Sequence, residues 1–197
     1  MSSSIMQNIK NKKEKNDVVY TPQVVVDIMI KDIDEGDSII DSCKGKGAFY
    51  NSFKNTHKFY CEISEGKDYF DFKDKVDLNY GNPPYSILSK WLKHSYKITK
   101  KKIKFIIGMY ALTPPRIKEA EENGFYLTEL ILTQIPTWFQ RSYIISFEKL
   151  EEKPTHIKFD SIYLGNKCLY CDRPVGGMRG ENIKHCKRKM TEEECHY

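Results

Sequence analysis

Asn82-Pro83-Pro84-Tyr85 is the stretch of this chain whose residue types combine into a definite chemistry. Proline lacks an N–H and has a fixed φ, so two in succession hold a rigid turn and leave the carbonyl between them, that of Pro83, as an acceptor. The Asn82 side-chain oxygen is a second acceptor beside it, and such a pair suits the gripping of an exocyclic NH₂. Tyr85 adds a flat ring on which an extruded base can stack. The preceding run Val76 to Tyr80 predicts a strand and Leu88 to Lys97 a helix, which places the motif in a strand-to-helix corner. A plain Pro-Pro turn after a strand has the same local appearance, so the reading rests on what surrounds it.

Three further groups precede the motif. Ser38-Ile39-Ile40 predicts a buried strand that ends in Asp41 and runs into Cys43-Lys44-Gly45-Lys46-Gly47-Ala48-Phe49. Gly45 and Gly47 let the backbone approach a ligand closely, and Asp41 can accept hydrogen bonds from an ammonium or hydroxyl. Position 50 is Tyr, so the third glycine of a dinucleotide-binding G-x-G-x-x-G is missing. Lys58 to Cys61 predicts a second strand closed by Glu62, the place where doubly wound sheets hold ribose hydroxyls. Upstream, Thr21 and Pro22 predict a capped helix start before Val24, Val25, Ile28 and Met29, which recur at helical spacing.

Taken in order, these segments resemble the S-adenosylmethionine-dependent amino-methyltransferases whose catalytic motif is (D/N)-P-P-(Y/F), in the adenine-N6-specific DNA methyltransferase class. The resemblance covers residues 18 to 148 and lies in the order Y-T-P, D-x-x-x-G-x-G-x-F, acid, G-x-D-Y and NPPY. It implies a Rossmann-like class I methyltransferase fold of the α/β type, with a mostly parallel sheet, an antiparallel closing strand and a small C-terminal extension. It implies S-adenosyl-L-methionine as cofactor, with Tyr20, Thr21 and Pro22 at its methionine end. Asp41, Gly45, Gly47 and Phe49 would form its loop, Glu62 would take its ribose, and Asp68 with Tyr69 would hold its adenine, Asp71 being the alternative acid. Asn82, Pro83, Pro84 and Tyr85 would carry catalysis on a flipped adenine, with Asn82 also bordering the cofactor and no metal required. Two departures stand out: Ser42 occupies a position where relatives carry Pro, and only five residues separate Glu62 from Asp68, so the helix expected between the second and third strands is nearly absent. Cytosine N4, RNA adenine or a protein glutamine as acceptor, and a non-catalytic binding subunit, are the alternatives that the same residues leave open.

The elements that must position these groups are legible around them. Ile103 to Met109 predicts a buried strand, Pro114-Pro115-Arg116 opens a helix ending near Gly124, and 127–132 and 142–147 predict two closing strands. Trp138, Phe139 and Arg141 on their connection read as a packed turn. The 197-residue chain, 40% hydrophobic, is long enough for one good-sized core. The expected division is a basic disordered tail at 1–16, a methyltransferase domain at 17–152 and a Cys/Gly/basic extension at 153–197 that contacts the target. The formal charge of +5 permits a nucleic-acid partner, and lysines cluster in the tail, after NPPY and near the end. DNA is favoured over RNA, with a recognition partner or a homodimer as further expectations. Met1 to Asn16 is polar and no apolar run is long enough to span a bilayer, so a cytoplasmic protein, of a cell or of a virus in its host, is expected. Cys168 and Cys171 form a C-x-x-C, but Cys186 and Cys195 follow at irregular spacing, so no metal site is assigned.

Overall fold

A computed structural model describes residues 19–135, 138 and 141–164. The tail lysines and the cysteines from Cys168 onward lie outside the described residues, as does Phe139. Seven strands form one sheet: β1 (Ile39–Asp41), β2 (Lys58–Tyr60), β3 (Val76–Gly81), β4 (Thr99–Gly108), β5 (Phe125–Gln134), β6 (Ser142–Lys149) and β7 (Lys158–Tyr163). Their spatial order is β2-β1-β3-β4-β6-β5-β7. β1 pairs in parallel with both β2 and β3, and β3 with β4. β6 runs antiparallel to its neighbours β4 and β5, while β7 pairs in parallel with β5. The expected mostly parallel α/β sheet is therefore present, with its antiparallel strand inside the sheet.

Among the described residues, four helices flank the sheet: α1 (Gln23–Met29), α2 (Ala48–Ser52), α3 (Leu88–Ile98) and α4 (Pro114–Glu122). Successive strand side chains point to opposite faces, and the core divides accordingly. Ile103, Phe105 and Ile107 of β4 pack with Ile145, Phe147 and Phe125 beneath Trp91, Leu92 and Tyr96 of α3 and Ala120 of α4. On the other face Ile39, Leu78, Tyr80, Ile106 and Ile144 pack with Val25, Val26 and Met29 of α1, and with Phe49 and Phe53. Helices on both faces of a parallel sheet bury it twice over, and accordingly β1 is buried throughout and β3 at every residue but Asp77.

Several boundaries differ from expectation for physical reasons. α1 starts at Gln23, and the Val25 and Val26 N–H groups bond the Pro22 carbonyl with no side-chain cap, so Thr21 is a buried residue and not the capping one. β4 begins at Thr99, so Lys100, Lys101 and Lys102 lie on a strand and not beyond a helix. Lys102 pairs with Asp32 and Glu148, and the buried Lys104 with Asp32 and Glu129 at 3.0 Å each. Between β2 and β3 the chain makes only two 3₁₀ turns, Ile63–Glu65 and Tyr69–Asp71, which leaves β2 at the sheet edge. β7 lies within the stretch read as an extension, yet it adds to the sheet beside β5.

After β1 the chain moves to β2 on one side and then to β3 on the other. This reversal opens a crevice outside the carboxyl ends of β1 and β3, where open α/β sheets bind ligands.

Candidate functional site

Asp41 ends β1 and is fully buried. Its Oδ1 accepts from the Cys43 N–H at 3.3 Å and its Oδ2 from the Tyr50 N–H at 3.0 Å, tying the glycine loop to α2. Burial pushes the Asp41 carboxyl up to about 7 despite these two bonds, and the nearby negative charge of Glu62 adds to the rise. Asp41 is thus the anchor beneath the loop, and its carboxylate does not lie open to a ligand as the sequence led us to expect.

The loop itself depends on two glycines. Gly45 and Gly47 have φ of 52° and 86°, values that L side chains rarely adopt. A Cβ on Gly47 would meet Asn51 Nδ2 at 2.9 Å, and one on Gly45 would stand 3.4 Å from the Tyr20 ring. Tyr20 therefore lies directly against the loop, with the Lys46 ammonium 4.8 Å from its ring centre. Ser42, where the resemblance expected Pro, fills a buried polar role: it accepts from Trp91 Nε1 at 3.3 Å and donates to the Tyr80 carbonyl at 3.3 Å.

Glu62 follows β2, and its two oxygens divide their work. Oε2 accepts from the Gly45 N–H at 2.8 Å, and Oε1 accepts from the Ser64 N–H and hydroxyl at 3.1 and 2.6 Å. Partial burial would raise this carboxyl, but the bonds from Ser64 and Gly45 outweigh it and hold Glu62 below the usual range, so it is ionised at neutral pH. Lys44 and Lys67 lie 4.1 and 3.7 Å from the ring centre of Tyr60, immediately before this turn.

Asp68 is half-buried and accepts from the Phe70 N–H at 2.9 Å, capping the second 3₁₀ turn. Tyr69 is placed otherwise than expected. It is only 2% exposed, stacks on Trp91 with ring centres 4.2 Å apart, and shares hydrogen bonds with Ser95 and Asn79 at 2.8 Å. It supports the turn from beneath and offers no ring face to a ligand. Phe49 is likewise a core residue, 3% exposed and packed near Phe53.

β3 delivers the NPPY motif to the same crevice. Gly81, which the sequence reading passed over, has φ of 149°, and a Cβ there would meet Ser42 Oγ at 3.0 Å and Cys43 Sγ at 3.1 Å. A glycine at a strand end directly before the motif was the available signal for this close approach. Asn82 follows it, near the half-buried Cys43, whose thiol pKa desolvation pushes up so that it stays protonated. The Asn82 side-chain Nδ2 donates to the Val19 carbonyl at 2.8 Å. Pro83 is buried, Pro84 leads into the 3₁₀ turn Tyr85–Ile87, and Tyr85 is half-buried at the mouth of that turn. Trp138 is 8% exposed and packs on the α1 face of the sheet, as a packed turn predicts, while Arg141 is exposed.

The sheet order, the switch-point crevice and the glycine loop define the class I methyltransferase fold. No family model matches the chain, and no curated protein matches it. Among solved structures it is similar to magnesium protoporphyrin IX methyltransferase from Synechocystis with bound S-adenosylmethionine, at a TM-score of 0.53 and 14% identity over 76% of this chain and 86% of that one. A methyltransferase from Pyrococcus furiosus gives a TM-score of 0.51 at 13% identity, over 75% of this chain and 99% of that one. A Listeria monocytogenes protein assigned to the class I S-adenosylmethionine-dependent methyltransferases gives 0.53 at 12% identity, over 71% of this chain and 62% of that one. The chain therefore spans less than two thirds of the Listeria protein's length. At these identities the likeness is one of fold.

Proposed function

We propose that this chain transfers the methyl group of S-adenosyl-L-methionine to the N6 amino group of adenine in DNA. The observation that carries this reading is the Asn82 amide, whose Nδ2 donates to the Val19 carbonyl and so leaves Oδ1 as an acceptor, directly after β3, which pairs with β1.

The residues around the loop suit the cofactor. Gly45 and Gly47 leave backbone bare for close approach, and the ionised Glu62 at the end of β2 is placed to accept ribose hydroxyls. The charge of Glu62 raises the cost of ionising Asp41, a repulsion that a ligand carrying sulfonium and ammonium charges relieves. Tyr20 borders the loop from the N-terminal side, and Asp68 stands at the turn that would border the adenine. Bound there, S-adenosylmethionine supplies an electrophilic methyl group.

The chain's own residues do the rest by placement. Asn82 Oδ1 and the Pro83 carbonyl accept from the two hydrogens of the target amine, which draws its lone pair out of conjugation as the nitrogen becomes tetrahedral. Tyr85 supports the flipped base by stacking. Catalysis is then positioning plus electrostatic complementarity to the developing positive nitrogen, with no covalent enzyme intermediate. Two acceptors suit an amine, which donates, better than a carboxylate, which only accepts.

Replacing Asn82 with Ala removes one of the two acceptors. We expect Asn82→Ala to lower methyl transfer to DNA by at least ~100-fold while calorimetry shows S-adenosylmethionine affinity within about threefold of wild type. Unchanged turnover in that variant would overturn the reading.

A further inference from the structure

Asn82 is held through its side chain, whose Nδ2 donates to the Val19 carbonyl at 2.8 Å. A carbonyl oxygen only accepts, so the amide is committed to presenting nitrogen to Val19, and Oδ1 is its one remaining polar atom. Acceptor strength alone would favour a different residue. An ionised carboxylate accepts hydrogen bonds from an amine more strongly than a neutral amide does, and the motif that this chain resembles admits Asp or Asn here.

We propose that the Val19 carbonyl is an amide-selecting positioning contact, which makes Asn the working residue at position 82 and an ionised Asp a non-functional one. For its activity this inference rests on the reading above; for its geometry it does not. An ionised Asp would set an oxygen against the Val19 oxygen, acceptor facing acceptor. The hydrogen bond is lost, repulsion replaces it, and the carboxylate turns out of register with the Pro83 carbonyl. Val19 cannot simply withdraw, because the residues after it are fixed. Tyr20 packs on Gly45, Thr21 and Pro22 are buried, and the Pro22 carbonyl receives the Val25 and Val26 N–H groups of α1. A protonated Asp behaves differently. Its O–H donates to Val19 and its other oxygen accepts, reproducing the amide. The same strap of residues 19–22 thus joins the cofactor loop to the acceptor site.

The test is Asn82→Asp, read in two ways. In a carbon-13 carboxyl NMR titration, the introduced carboxyl should titrate well above the ordinary aspartate value of about 4. Because the folded protein then favours the protonated form, the variant should match wild type in thermal stability near about pH 4 and fall behind as pH rises through the raised value. Titration at or below about 4 would overturn the proposal. In methyl transfer to DNA, the variant should stand ~100-fold below wild type near pH 8. Its ratio to wild type should recover at least about tenfold near pH 6 as the carboxyl takes up its proton. A loss that is flat with pH, or a variant within about threefold of wild type near pH 8, would contradict it. If wild type itself transfers no methyl group to any nucleic acid, the proposed function falls, while the titration still decides this contact.

Discussion

At the scale of single residues, Asp41 shows how one side chain can carry a loop. It is fully buried, receives N–H bonds from both sides of the glycine run, and its carboxyl is pushed up to about 7. A carboxyl whose folded value is raised contributes stability in its protonated form, present below the ordinary value of about 4 and lost as pH rises through about 7. Wild type should therefore lose thermal stability between about pH 5 and pH 8, and Asp41→Asn should not show that slope. Parallel slopes in the two proteins would show that Asp41 ionises without penalty. The sequence made Asp41 visible as an acid after a strand, but its role depended on burial, which no local pattern reports. Tyr69 was misread for the same reason, since a G-x-D-Y segment looks alike whether its ring faces a ligand or Trp91. The Val19 carbonyl was invisible altogether, because a backbone acceptor has no side-chain signature.

At the scale of elements, β1 to β6, α3 and α4 were legible because apolar runs, Pro-Pro starts and Asn-Gly ends coincide with them. The start of β4 and the whole of β7 were not. Lys100 to Lys102 look like the solvent face of a helix, yet Lys102 and Lys104 reach acids on other elements. Most of β7 is exposed on both faces, so its residues show no buried alternation, and its place comes from pairing with β5. Lys104 is the centre of this arrangement. Its side chain is 3% exposed, and its ammonium bridges Asp32, after α1, to Glu129 of β5, which Lys158 of β7 and Ser146 of β6 also contact. Removing one partner of a buried ionic network leaves the others uncompensated. Lys104→Met should lower unfolding stability by about 3 kcal/mol in urea titrations. A loss under about 0.5 kcal/mol would mean that the acids are already neutralised by Lys102 and Lys158.

At the scale of the whole molecule, a chain of 197 residues combines a doubly wound sheet with a site assembled from four separate segments. Val19 and Tyr20, the loop after β1, the turn after β2 and the corner after β3 meet through contacts that run from Asn82 to Val19 and from Glu62 to Gly45. The economy lies between β2 and β3, where two 3₁₀ turns take the place of a longer crossover. No helix among the described residues is long and apolar enough to cross a membrane. What this assembly acts on is decided most directly by one comparison. Labelled S-adenosylmethionine is incubated with the full chain and, in parallel, unmethylated duplex DNA, single-stranded DNA and total RNA, and the nucleosides are then separated. Label is expected in N6-methyladenine from DNA. Label confined to RNA would keep the chemistry and contradict the acceptor, and no label in any nucleic acid would contradict the central claim.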